Sequence, residues 1–155
     1  MRRLLLLGIC LFPVMLFGLA NDALAGQTDG VKGEGGRPFT TTLSGLNERP
    51  VIATQSDLTG TAKVTINRGQ HELCWDLDYT TTEHVVAAHI HWAPAGQPGP
   101  IVVPFFNPPS APVNSGCTAV SPALLAAIAA NPSEYYVNVH TTMYPGGAGR
   151  GQLTK

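Results

Sequence analysis

The chain has 155 residues, of which 12% are charged and 44% hydrophobic, and its formal net charge is -1. That balance offers no basic field to a nucleic-acid partner, the apolar fraction excludes a wholly disordered chain, and the length leaves room for one ordinary domain rather than two. Glycine (17) and proline (13) mark many turns, which suits a β-rich domain better than a helical bundle.

Met1–Ala25 opens with Arg2 and Arg3, continues as an apolar run from Leu4 to Ala20 broken by Pro13, and ends in the small-x-small pattern Ala23-Leu24-Ala25. It is read as a signal peptide (1–25) cleaved after Ala25, which makes the mature protein secreted or periplasmic. Nothing later is long and apolar enough to cross a bilayer, so no membrane span is expected once the leader is gone. Residues 26–37 hold five glycines and one aliphatic residue and are expected to be a flexible linker. The folded β-domain is expected over 38–155.

Phe39–Leu46 reads as a first strand. From Leu58 the alternation is clear, with Leu58, Gly60, Ala62, Val64 and Ile66 on one face and Thr59, Thr61, Lys63 and Thr65 on the other. Asn67-Arg68-Gly69-Gln70 supplies turn chemistry, and Leu73, Trp75, Leu77 and Tyr79 then alternate with Glu72, Cys74, Asp76 and Asp78, predicting a hairpin with one apolar face. Asp76 and Asp78 share the other face, which is expected to be solvated. Val85–Trp92 and Ile101–Phe106 are further strands, separated by a Pro/Gly segment, and Asn107–Gly116 is expected to be a proline-rich loop. Ser121 as N-cap and Pro122 at the first helical position open the one predicted helix, which Asn131-Pro132 ends. Tyr135–Thr141 and Arg150–Leu153 complete about seven strands. The pattern predicts an all-β fold, a Greek-key or immunoglobulin-like β-sandwich or barrel with one short helix.

Of the three cysteines, Cys10 lies in the leader, leaving Cys74 and Cys117. In an oxidising compartment these are expected to form one disulfide closing a long loop. The alternative, one cysteine in a thiolate copper site beside histidines, requires a free thiol.

His89-Ile90-His91 carries the functional reading. Residues i and i+2 of a strand point to one side, so the two imidazoles share a face and look outward while Ala88, Ile90 and Trp92 face inward. In Tyr136–His140, Val137 and Val139 suit the core, leaving Tyr136, Asn138 and His140 opposite. If the two strands are neighbours, three imidazoles converge, a donor set suited to zinc or copper with a position left for another ligand. Copper is the first choice, because the affinity order of divalent ions favours it, and zinc the alternative. His84, five residues before His89, is a candidate fourth ligand, and His71 is expected to pack near the core edge. Arg150 and Gln152 alternate with Leu153 and could orient a ligand by hydrogen bonds; equally, Arg150 could close a sheet edge by pairing with Asp or Glu. There is no nucleophile-elbow motif and no glycine-rich phosphate loop before a helix.

Taken in order, Phe39–Pro50 (FTTTLSGLNERP), Ala88-His89-Ile90-His91, Gly99-Pro100-Ile101-Val102, Tyr136–Thr141 (YVNVHT) and Arg150–Leu153 (RGQL) resemble the chordin-type (CHRD) domain from about Phe39 to Leu153. The resemblance implies a secreted β-sandwich module, found alone in many bacterial proteins and repeated in chordin, an extracellular binder of growth factors. It implies no catalytic mechanism. His89, His91, Asn138, His140, Arg150 and Gln152 are the positions that match the family's motif, and Trp92-Ala93 departs from it. Three functions follow as expectations: an exported copper-binding protein for storage or transfer of the ion; an extracellular protein-protein interaction module without metal; and a copper-dependent redox enzyme, with Tyr136 or Tyr144 assisting, for which no residue identifies a substrate.

Overall fold

The computed structural model describes residues 37–50, 56–108 and 110–155; the leader and nearly all of the linker lie outside them. Eight strands form one antiparallel sheet: β1 (Arg37–Ser44), β2 (Thr59–Asn67), β3 (Glu72–Thr80), β4 (Val85–Trp92), β5 (Ile101–Phe106), β6 (Ser115–Ala119), β7 (Tyr135–Thr141) and β8 (Gly149–Gln152). Their spatial order is β5-β4-β7-β8-β1-β2-β3-β6. The helix α1 (Pro122–Ala130) carries the chain from the β6 edge to β7, inside the sheet. Ser121 caps it by accepting a hydrogen bond from Leu124 N at 3.3 Å. Its Leu125, Ile128 and Ala129 are buried in the core.

Hydrophobic alternation makes the sheet curl on itself. The inward set Phe39, Leu43, Val64, Leu73, Ile90, Val103, Val137 and Val139 is almost wholly removed from water, and a single twisted sheet buries such a face by closing around it. Trp75 of β3 stacks on Phe105 of β5 with centroids 4.7 Å apart and planes 4° apart, so aromatic packing bridges the gap between the two edges. The result is an all-β, nearly closed barrel with one helix.

The expected seven strands become eight because β6 has only five residues of small or polar type, SGCTA, with no period to recognise. Its register with β3 sets Cys74 opposite Cys117, and the two form the disulfide. That bond removes the free thiol which a cysteine-ligated copper site would need. Gly116 lies flat against Trp75: a Cβ there would stand 2.6 Å from Trp75 Cζ2. Gly116→Ala is expected to lower stability by ~1–3 kcal/mol through overpacking of the Trp75–Phe105 closure, measured as a lower denaturant midpoint at unchanged slope.

Two placements differ from expectation. His71 is exposed and sits at φ 53, in the left-handed region, ending the 3-10 turn of the β2–β3 hairpin. The period-two count from Leu73 does not extend back through that turn. Trp92, expected to face inward with Ala88 and Ile90, is instead 54% exposed.

Candidate metal centre

β4 and β7 are adjacent and antiparallel, and their register sets His89 opposite Asn138, His91 opposite Tyr136 and Ala87 opposite His140. His140 is therefore the diagonal neighbour of His89, within side-chain reach on one face. On the other side of β7, Arg150 of β8 lies opposite Asn138 and Gln152 opposite Tyr136. One face of three neighbouring strands thus gathers His89, His91, His140, Tyr136, Asn138, Arg150 and Gln152.

That face does not look out to solvent as expected. His89 is 5% exposed and His91 and His140 7% each, because loops cover them. Every residue of β7 is buried, on both its faces. The segment between β4 and β5 supplies Gly99, Gln97 and Pro94, and the turn between β7 and β8 supplies Pro145. The sheet here has two buried sides, an apolar one inside the barrel and a polar one under the loops.

The hydrogen bonds fix the imidazole tautomers. Carbonyl and amide oxygens only accept, so the ring nitrogens facing them must donate. His91 Nδ1 donates to Gly99 O (2.9 Å), His140 Nδ1 to Pro145 O (3.0 Å) and His89 Nε2 to Asn107 Oδ1 (2.6 Å). Each neutral ring then keeps one bare lone pair, on His91 Nε2, His140 Nε2 and His89 Nδ1. Two of these face each other, His89 Nδ1 and His140 Nε2, at 3.0 Å. The third, His91 Nε2, is buried with no partner among the described residues. One ring nitrogen from each histidine lies within 4.8 Å of those of the other two. Burial holds the rings neutral: it pushes His140 down to about 4, with His89 adding to the effect, and it also lowers His89 and His91.

The three nitrogens are near enough to one another to be candidate ligands of one ion. Two nitrogens each bound at ~2.0–2.1 Å to one ion at a tetrahedral angle stand ~3.4 Å apart, close to the His89–His140 separation. Each ring's other N–H is held by an oxygen acceptor, the outer arrangement that orients metal-binding imidazoles. His84 does not join the cluster: it is exposed, ahead of β4, and its backbone carbonyl accepts from Thr142 N.

The outer residues form a stack. The Tyr136 ring packs on His91 at 4.8 Å and 14°, and Arg150 Cζ lies 3.4 Å from the Tyr136 ring centroid. Tyr136 Oη accepts from the N–H of Gly99, the residue whose carbonyl oxygen orients His91. Arg150 donates to Gln97 O, Pro94 O and Gln152 Oε1, and Gln152 Nε2 donates to Ala93 O and Ser133 O. Arg150 therefore ties a loop over an inner strand and does not close a sheet edge against a carboxylate.

Two participants were not singled out by the sequence. Asn107 stands just after β5, where only its amide and position mark it. Glu48 is buried between β1 and β2, and its Oε2 accepts from Asn138 Nδ2 at 3.4 Å. Glu48 Oε1 and Asn138 Oδ1 are buried without partners among the described residues, and burial pushes Glu48 up to about 7. Gly147, at φ 141, makes room for this pair, since a Cβ would lie 2.4 Å from Glu48 Oε2. A cavity of about 210 Å³ bounded by Glu48, Arg49, Tyr144 and Pro145 adjoins the turn. The larger concavity, about 720 Å³, lies on the threonine-rich outer face of β1–β3, away from the histidines.

The fold and the cluster define an antiparallel β-barrel protein with a buried three-histidine constellation on one flank. The CHRD domain family model matches residues 39–153, and the chain belongs to that family. No curated protein and no solved structure matches it. Among the described residues no helix is long and apolar enough to cross a membrane.

Proposed function

We propose that this CHRD-domain protein is exported and binds a metal ion, copper before zinc, at His89, His91 and His140, for storage or transfer of the ion. The observation that carries the reading is the pair of lone pairs at His89 Nδ1 and His140 Nε2, held 3.0 Å apart by hydrogen bonds that fix both tautomers. Facing lone pairs repel unless something positive lies between them. A proton is disfavoured there because burial lowers both pKa values, which leaves a cation as the natural occupant. Three imidazoles suit copper and zinc and not the hard, oxygen-seeking ions. Export is supported by the leader pattern of residues 1–25 and by the Cys74–Cys117 disulfide, a bond that persists in oxidising compartments.

The direct test is elemental analysis of the mature protein purified from the exported fraction, with thiols counted on the same sample. About one copper per chain and no free thiol is the expected result. Absence of any transition metal, with none taken up on titration, would refute the reading.

Asn107→Ala is expected to weaken metal binding ~10–100-fold, because His89 loses the acceptor that fixes its tautomer. Asn107→Asp keeps an acceptor and should retain or tighten binding, as a competition titration against a chromophoric chelator can show. Equal affinities in all three proteins would remove Asn107 from the site.

A further inference from the structure

The charges around the three histidines restrict which ion they hold. Among the described residues the cluster consists of imidazoles alone. An imidazole nitrogen that ligates an ion is neutral, so the three ligands bring no negative charge to offset that of the ion. The fixed charge that bears on His91 is positive: Arg150 is 2% exposed, and only the Tyr136 ring separates its guanidinium from the His91 ring. Arg150 is held by carbonyl and amide oxygens, which orient its charge without neutralising it. The carboxyl group that acts on Arg150 is Glu48, which burial pushes up to about 7, and Arg49 adds a second positive charge nearby.

A divalent ion entering this site meets twice the repulsion from Arg150 that a monovalent ion meets. Its desolvation cost is larger still, since that cost grows with the square of the charge. The alkali cations escape this penalty but prefer oxygen donors. Cuprous copper is singly charged, accepts imidazole nitrogen and is satisfied by three ligands.

We infer that the His89–His91–His140 site takes copper as the cuprous ion in preference to cupric copper or zinc, and that Arg150 is the residue which sets this preference. The inference rests on the metal-binding reading above and goes beyond it by fixing the charge of the ion. The affinity order that places cupric copper first ranks divalent ions against one another and does not compare charges.

The mature protein, stripped of metal, is titrated anaerobically with cuprous ion against bicinchoninate, and separately with zinc and cupric ions against chelators of known affinity. Cuprous ion should bind more tightly than either divalent ion. In Arg150→Gln both divalent affinities should rise about tenfold relative to the cuprous one, the size expected for one charge at this range in a protein environment. If that variant does not fold, a redox titration of copper-loaded native protein tests the preference for cuprous over cupric ion directly. A midpoint above that of the aqueous couple supports cuprous preference, and one at or below it overturns the inference. Divalent ions binding as tightly as cuprous ion, or a gap unmoved by Arg150→Gln in folded protein, also overturn it while leaving metal binding intact. Failure to bind any of the three ions instead removes the metal-binding reading itself.

Discussion

A protein carrying both His89→Ala and His91→Ala is expected to lose metal affinity by at least ~10³-fold. Four-ligand protein sites bind zinc with ~10–16 kcal/mol, so each ligand is worth several kcal/mol and two together at least ~4. His140 alone offers one neutral nitrogen, and no described carboxylate or thiolate lies in the cluster to replace the lost pair. The fold is also weakened, because Gly99 O and Asn107 Oδ1 lose their donors and the Tyr136 ring loses its stacking partner. Asn107 is exposed and Gly99 half-buried, so water replaces part of what these acceptors lose, and the affinity is measured on protein shown to be folded by circular dichroism. His84→Ala and His71→Ala are the controls, since both residues are exposed and outside the cluster, and neither should change the affinity. One equivalent of metal held at native affinity by the folded double variant would contradict the three-histidine site.

What the sequence makes legible is which residues share a face. The alternation of His89 with Ile90, and of Tyr136, Asn138 and His140 with Val137 and Val139, is a local property of an extended chain. It survives into the fold unchanged. What covers a face is decided elsewhere, and the outward-looking imidazoles expected from alternation are in fact buried beneath the 93–100 and 142–148 segments. Two of the three acceptors that fix the tautomers are backbone carbonyls, of Gly99 and Pro145, and a carbonyl leaves no mark in residue type.

The same limit explains the other differences. β6 is a strand because β3 pairs with it and a disulfide joins the two, both tertiary facts. Arg150 could be read as an edge residue until β8 was found between β7 and β1. Glu48 has an acidic side chain in an aperiodic stretch, which by residue type suggests exposure, and its burial depends on Asn138 being ninety residues further on.

Glu48→Gln is expected to stabilise the metal-free protein at pH 8 by up to ~3 kcal/mol. Glu48 has its folded pKa raised from 4.5 to about 7, so its contribution to stability is full below pH 4.5 and is lost as pH rises through about 7. At pH 8 the native state holds a buried carboxylate with Oε1 unpartnered, beside an equally unpartnered Asn138 Oδ1. Glutamine cannot ionise, and its amide can donate to Asn138 Oδ1 while accepting from Asn138 Nδ2, pairing both orphans. His140 runs the opposite way: its pKa falls from 6.5 to about 4, so its contribution is full above pH 6.5 and is lost as pH falls through about 4. Between pH 4.5 and 6.5 the two groups offset each other, leaving the native protein only the shallower acid sensitivity that His89 and His91 add in the same direction as His140. The variant loses the offset. Its advantage should vanish by about pH 4.5, and its stability should fall more steeply on acidification than that of the native protein. Denaturant unfolding in the presence of a chelator at pH 8, 6 and 4.5, with the slope compared between proteins, measures both effects. A variant less stable than native at pH 8, or one with an unchanged pH profile, would show that Glu48 is ionised and satisfied in the folded state.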